Sequence, residues 1–347
     1  ASFRELVGTE TLRAARVEGS RLALTEGRDS VLAASCLAQV GGRLPTYTLG
    51  YRSYPDSQGA RAAAKALGWS HQTIGVRDAR GRRVSQRSTP TGRAVSGNLV
   101  EWLVRHAAWG EGLQAARDAL VGHVAWAGSG FVSVTGHGGE TGRAFYRTAH
   151  EGQDPADAIA VTGAGANLPP AGQAHFREVI RAEVDRAAAA GRRDAALDLV
   201  YARRQRGWLE HTGLPDAPAT DIVPIYLGST VYRALMNIPL ADRLDGSFFE
   251  AALALDERDL YAVATRGARR RRWGRRPGIP SDWPLLRDVI AAFEPDGWLA
   301  RDVLGDDWWR WATEQAPHEW WVRLLLWRAV GVEALHRWCA SPPWLTA

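Results

Sequence analysis

The chain has 347 residues, 46% of them hydrophobic and 23% charged, with a net charge of +5, the balance of an ordinary globular protein. Cys36 and Cys339 are its only cysteines, and no Cys/His group has zinc-ligand spacing, which excludes a disulfide framework and a zinc module and fits a reducing cytoplasm. No apolar run reaches the roughly 20 residues of a membrane helix, and the first residues lack the apolar stretch of a signal peptide, so a cytoplasmic protein with no membrane partner is expected. Lys65 is the only lysine. The arginine run at 269–276 reads as a solvated face or loop, and the composition argues against a nucleic-acid partner.

In chain order, residues 21–24 read as a short strand ending in a glycine-containing turn, and 30–39 as an Ala/Leu-rich helix. Residues 45–50, with β-branched and aromatic side chains, predict a second strand, and 58–67 a helix closed by Gly68. A third strand is expected at 72–76, a polar arginine-rich loop at 81–91, and helices at 98–106 and 112–121. Residues 131–134 predict a further strand running into the glycine-rich stretch 135–142. Strands alternating with helices indicate an α/β fold, a parallel sheet with flanking helices, whose ligands lie beyond the carboxyl ends of the strands.

After about residue 150 the pattern becomes helical, with a loop expected at 155–170 and helices at 174–190, 195–209 and 229–236. Trp298, Trp308, Trp309, Trp311, Trp320, Trp321, Trp327 and Trp338 make the tail rich in tryptophan, read as helix packing rather than a platform for bases. The expected organisation is an α/β core over 1–150 and a helical C-terminal region over 151–347 packed on it.

Two segments carry the chemistry. Thr25-Glu26-Gly27-Arg28-Asp29-Ser30 follows a strand and opens a helix, so backbone N–H groups and the helix N-terminus face an anion. Asp29 repels phosphate unless a divalent cation lies between them. Alone, the segment reads equally well as a turn and cap. Thr135-Gly136-His137-Gly138-Gly139-Glu140 repeats the arrangement, a carboxylate after glycines at a strand end, and two such ends suit one metal–triphosphate.

This pair of loops resembles the asparagine synthetase family, whose loops read Ser-Gly-Gly-x-Asp-Ser and Ser-Gly-x-Gly-x-Asp/Glu. Tyr47-Thr48-Leu49-Gly50-Tyr51 is similar to the family's second strand, and Leu67-Gly68 with His71 to its Leu-Gly-x-x-His. Arg143-Ala144-Phe145-Tyr146 stands at its Gly-Gly-Tyr segment, and Asp221 to Tyr226 at Glu-x-Arg-x-Pro-Phe-Leu. The similarity spans roughly residues 12–275 and implies a PP-loop (HUP-like) fold. It also implies two half-reactions: ATP adenylates a carboxylate and releases pyrophosphate, then an amine attacks the acyl adenylate.

The resemblance implies that Thr25, Gly27 and Ser30 cradle pyrophosphate and that Asp29 and Glu140 bind Mg2+. It places Ala23, Leu49, Thr135, Gly136 and Gly138 around the nucleotide. His137 stands where relatives carry Tyr or Glu, and is either a general base near neutral pH or a residue that hydrogen-bonds substrate or backbone. Arg266 or Arg269 takes the place of the family's lysine, which stabilises transition-state charge. Asp198, Tyr201 and Arg204 share a helix face and are expected to be substrate-pocket or ion-pair residues.

Glu26 replaces a loop glycine, so it either points away, adds a metal ligand or marks a loop that has lost ATP. No glutaminase segment precedes the first loop in this sequence, so either the amine comes from elsewhere or the chain is a fragment or one subunit of a larger enzyme. The alternatives to an ATP-dependent ligase are a non-catalytic homologue acting as a binding partner and a PP-loop enzyme acting on tRNA. For the latter, the two cysteines are not arranged as a reactive pair.

Overall fold

The computed structural model of the protein describes residues 2–49, 55–74, 131–160, 170–210, 222–269, 283–293 and 305–340. The first element is helix α1 (Phe3–Ala15), started by a capping box in which Ser2 and Glu5 each accept from the other's backbone N–H. There follow β1 (Arg21–Ala23), α2 (Arg28–Gln39), β2 (Thr46–Leu49), α3 (Pro55–Ala66), β3 (His71–Ile74) and β4 (Ser133–Thr135). A 3-10 turn, Gly139–Arg143, leads from β4 to the helices α4 (Arg147–His150), α5 (Pro155–Ala160), α6 (Pro170–Ala189) and α7 (Ala196–Glu210). Strand β5 (Ile222–Pro224) precedes α8 (Ser229–Met236), α9 (Leu240–Leu244), α10 (Ser247–Ala254) and α11 (Leu260–Arg269). The last described helices are α12 (Trp283–Phe293), α13 (Asp306–Gln315) and α14 (Trp320–Ala340).

The five strands form one parallel sheet in the order β3-β2-β1-β4-β5. Leu22 lies beside Thr46 on one side and Val134 on the other, so β1 is central. Pro224, which lacks an N–H, ends β5 at the sheet's edge, where a missing donor costs no ladder bond. After β3 the chain crosses to the other side of β1, so the strand order reverses between β1 and β4. Such a reversal opens a crevice at the carboxyl ends of those two strands.

Helix α2 is buried along almost its whole length, from Ser30 to Leu37, between the sheet and the helices α1 and α10–α11. Arg4 ties this layer together: its guanidinium donates to Ser35 Oγ, Gln39 Oε1 and the Ala252 carbonyl. The core around α2 combines Val7, Leu22, Leu32 and Ala60 with Ile225, Leu235, Phe249 and Leu260, so β5, α8, α10 and α11 share the core of residues 3–69. A second, smaller cluster joins α4–α7 through Ala149, Ile159, Ile180 and Leu197.

The expected loop at 155–170 is corrected in its first part, where Pro155–Ala160 is helical. Asp154 Oδ1 accepts from the N–H groups of Ala156 and Asp157, and Pro155 sits at the first helical position, where its missing N–H costs nothing. The sequence signal was present, but an Asp-Pro pair serves a helix start as readily as a turn. In the tail, Trp308, Trp309 and Trp327 are buried, and α12 and α13 both pack on α14. Residues 81–91, the expected helices 98–106 and 112–121, and Trp298 lie outside the described residues. Among the described residues, no helix is long and apolar enough to cross a membrane.

Candidate functional site

The two glycine loops meet at the crevice between β1 and β4. Gly27 precedes α2 and gives its N-terminus no side-chain cap. The first N–H groups of this 12-residue helix therefore carry the positive end of its dipole without an acceptor side chain of their own cap. The loop holds its shape internally. Thr25 Oγ1 accepts from Gly27 N–H at 3.0 Å, and Ser30 Oγ accepts from Thr25 N–H at 3.1 Å.

The second loop closes on the first because it lacks side chains where the two touch. A Cβ on Gly136 would stand 2.8 Å from Ser30 N, and one on Gly139 would stand 2.5 Å from the Asp29 carboxyl carbon. Gly138 has φ of 90°, a left-handed conformation that suits glycine and lets the chain turn back against Leu227. The loop spacing read from the sequence thus becomes direct contact between Asp29 and the turn that carries Glu140.

Charge is concentrated here. Arg143 donates to Asp29 Oδ2 at 2.8 Å, and Tyr226 donates its hydroxyl proton to the Asp29 carbonyl at 3.0 Å. Burial pushes the Asp29 carboxyl up to about 7, with Arg143 opposing and the Glu140 charge reinforcing the rise. The Tyr201 phenol is raised far above the ordinary range by burial and then by the nearby Glu140 carboxylate. Burial lowers the His137 imidazole, with Glu140 acting against it, so the ring is biased toward its neutral, proton-accepting form.

Several buried polar atoms in this region have no hydrogen-bond partner: Asp29 Oδ1, Thr135 Oγ1, Glu140 Oε2, Thr141 Oγ1 and Arg143 Nε. Folded proteins rarely leave such groups unsatisfied, and a cluster of them marks a place built to meet something else. Two neighbouring carboxylates, each with one open oxygen, suit a hard divalent cation. Magnesium takes one or two carboxylates and fills the rest of its octahedron from phosphate and water. Among the described residues no three His, Cys, Asp or Glu side chains gather as a full ligand set. A cation at Asp29 and Glu140 would need its other ligands from outside these two side chains.

The remaining expected residues divide. Ala23, Leu49 and Thr135 end β1, β2 and β4, three adjacent strands along one edge of the crevice. Glu26 has its Cβ against α3, where a Cβ on Gly59 would be only 2.7 Å from it. The glycine that accommodates Glu26 is thus on α3, not in the second loop. Arg266 is 69% exposed and lies 3.9 Å from Asp259. Arg269 is the last residue of α11.

Asp198 and Tyr201, expected on one helix face, serve different neighbours. Tyr201 meets Glu140, whereas Asp198 is buried against Arg243 at 2.6 Å. Arg143 and Tyr226 are the contacts that sequence reading did not assign. Their only local signal is position: Arg143 follows Glu140 by three residues, and Tyr226 ends the segment after β5. Compared with protein-family models and with curated proteins, the chain finds no match in either.

Proposed function

We propose that the chain is an ATP-dependent ligase that adenylates a carboxylate, releases pyrophosphate and passes the acyl group to an amine. The observation that carries this reading is the closure of two glycine loops over a reversal in strand order. There an open helix N-terminus stands beside two carboxylates with unsatisfied oxygens. The strand order and the placement of both loops also support the PP-loop, HUP-like version of the α/β fold that the sequence resembles.

In this reading the N-terminal N–H groups of α2, with Thr25 and Ser30, bind the departing phosphates. Asp29 and Glu140 hold the metal, and Arg143 keeps the Asp29 carboxylate in place and offsets its charge. His137, kept neutral by burial, takes the proton from the attacking amine. Tyr201 stands beside Glu140. Magnesium, when bound, neutralises triphosphate charge and stabilises the pyrophosphate leaving group.

A non-catalytic homologue is the second reading, and one contact favours it: the Arg143 guanidinium already satisfies one Asp29 oxygen. Magnesium-dependent ATP binding, followed by calorimetry on the full chain, separates the two, since the second reading requires none. The ligase reading is tested by ATP–pyrophosphate exchange screened against candidate acids. Asp29→Asn is expected to abolish exchange while leaving the chain folded, at a stability cost of about 1–2 kcal/mol from the broken Arg143 pair. Undiminished exchange in that variant would sink the metal assignment.

A further inference from the structure

Beside the buried Asp198–Arg243 pair, α4–α7 and α9 enclose a cavity of about 790 Å³, within the size range of small-molecule sites. One wall is apolar, built from Val184 and Ala188 on α6, Leu197 on α7 and Leu240 on α9. The rest is charged. Arg181 is taken by Asp154 at 3.3 Å, and Asp194 lies 3.9 Å from Arg192. That leaves Asp185 and Arg193, which line the cavity and form no ion pair among the described residues.

A third polar group also lacks a hydrogen-bond partner. The His150 side chain lines the cavity, is only 6% exposed, and has a buried Nε2 without a hydrogen bond. Its nearest partner is Asp198 Oδ2 at 3.6 Å, beyond hydrogen-bond reach. The cavity thus presents one exposed carboxylate and one exposed guanidinium, in no ion pair among the described residues, beside an apolar wall, with the His150 ring behind them. A ligand bearing an ammonium, a carboxylate and an apolar body answers both charges and the wall, because each charge then meets its opposite and the body covers Val184 and Leu197.

We propose that this cavity binds a small zwitterion of the amino-acid or dipeptide class, its ammonium held by Asp185 and its carboxylate by Arg193. The site does not include Asp29 or Glu140, so it stands independently of the nucleotide reading. It is nevertheless linked to the Glu140 turn. His150 adjoins Asp198, which accepts from Arg243, and Arg243 donates to the carbonyl of Thr141, the residue after Glu140.

Isothermal titration of the full chain with L-leucine and with L-leucyl-L-leucine tests the proposal, with isopentylamine and 4-methylpentanoate as the two half-ligands. At least one zwitterion is expected to bind at millimolar or lower concentration, and each half-ligand at least about tenfold more weakly. Leucine alone binding marks the free amino acid as the class, and the dipeptide alone marks the peptide. Asp185→Asn and Arg193→Gln each weaken binding at least about tenfold. Both residues are exposed, so unchanged circular dichroism is expected and separates lost binding from lost folding. Val184→Trp, which fills the apolar wall, removes binding. The proposal is overturned if neither zwitterion binds, if either half-ligand binds as well as the zwitterion, or if binding survives both charge substitutions.

Discussion

Arg143 and Arg243 each hold an aspartate of limited exposure, at 2.8 and 2.6 Å, yet the two pairs are built differently. Arg243 and Asp198 are both 1% exposed, and the guanidinium also donates to the carbonyls of Ile238 and Thr141. That pair is closed on itself and ties α7 to α9 and the Glu140 turn. Arg143 is 29% exposed and leaves Nε without a partner, while Asp29 keeps Oδ1 open next to a second carboxylate. The same two residue types thus serve as a structural tie in one place and as half of an incomplete site in the other. What distinguishes them is whether folding satisfies their hydrogen-bonding capacity.

The sharpest way to break this contrast is Arg243→Met. It strands a buried carboxylate, and a loss of about 3–5 kcal/mol is expected by urea denaturation. Gly139→Ala comes next. Its methyl group would press on the Asp29 carboxylate, which must move, so a loss of about 1–3 kcal/mol is expected together with loss of nucleotide binding. Arg143→Gln is expected to cost only about 1–2 kcal/mol, because that pair is partly open to solvent. Equal losses from Arg143→Gln and Arg243→Met would erase the distinction between the pairs.

At neutral pH the smallest effect is expected outside both pairs, at His71, whose contribution emerges only on acidification. Its imidazole is lowered to about 4, first by burial and then by Arg61. Thr46 Oγ1 donates to the Ser70 carbonyl, so it accepts from His71 Nδ1, which fixes the neutral tautomer. Between its ordinary value of 6.5 and about 4, the unfolded chain binds a proton that the folded chain refuses. Stability therefore falls as pH drops through that window and is unaffected by this group above it. His71→Asn should flatten the slope, measured by urea midpoints of both proteins across the window. An unchanged slope would mean that the ring is not held neutral.

Much of this was legible in the sequence, and for a local reason. Strand and helix periods, the glycines at 27, 136, 138 and 139, and the acidic residues behind them are short-range features, so the parallel α/β pattern and both loops followed from residues near each other in the chain. Helix α1 escaped notice although its Ser2–Glu5 capping box is equally local, and the helix at Pro155 was mistaken for a loop because Asp-Pro serves either structure. The candidate site was legible in its acids and glycines but not in its partners. Arg143 lies 114 residues from Asp29 and Tyr226 lies 197, and nothing in either segment names the other.

The sequence by itself therefore determined the alternating strands and helices around β1–β4 and the residue types offered at two strand ends, because dihedral preference and hydrophobic period are properties of neighbouring residues. Only the tertiary structure decided that β1 lies beside β4, that Glu26 packs on α3, that Tyr201 and Asp198 part company from one helix, and that Arg266 is exposed. Those outcomes depend on strand order and on which buried charge finds which partner. They are settled by packing across the whole chain rather than by any single segment of it.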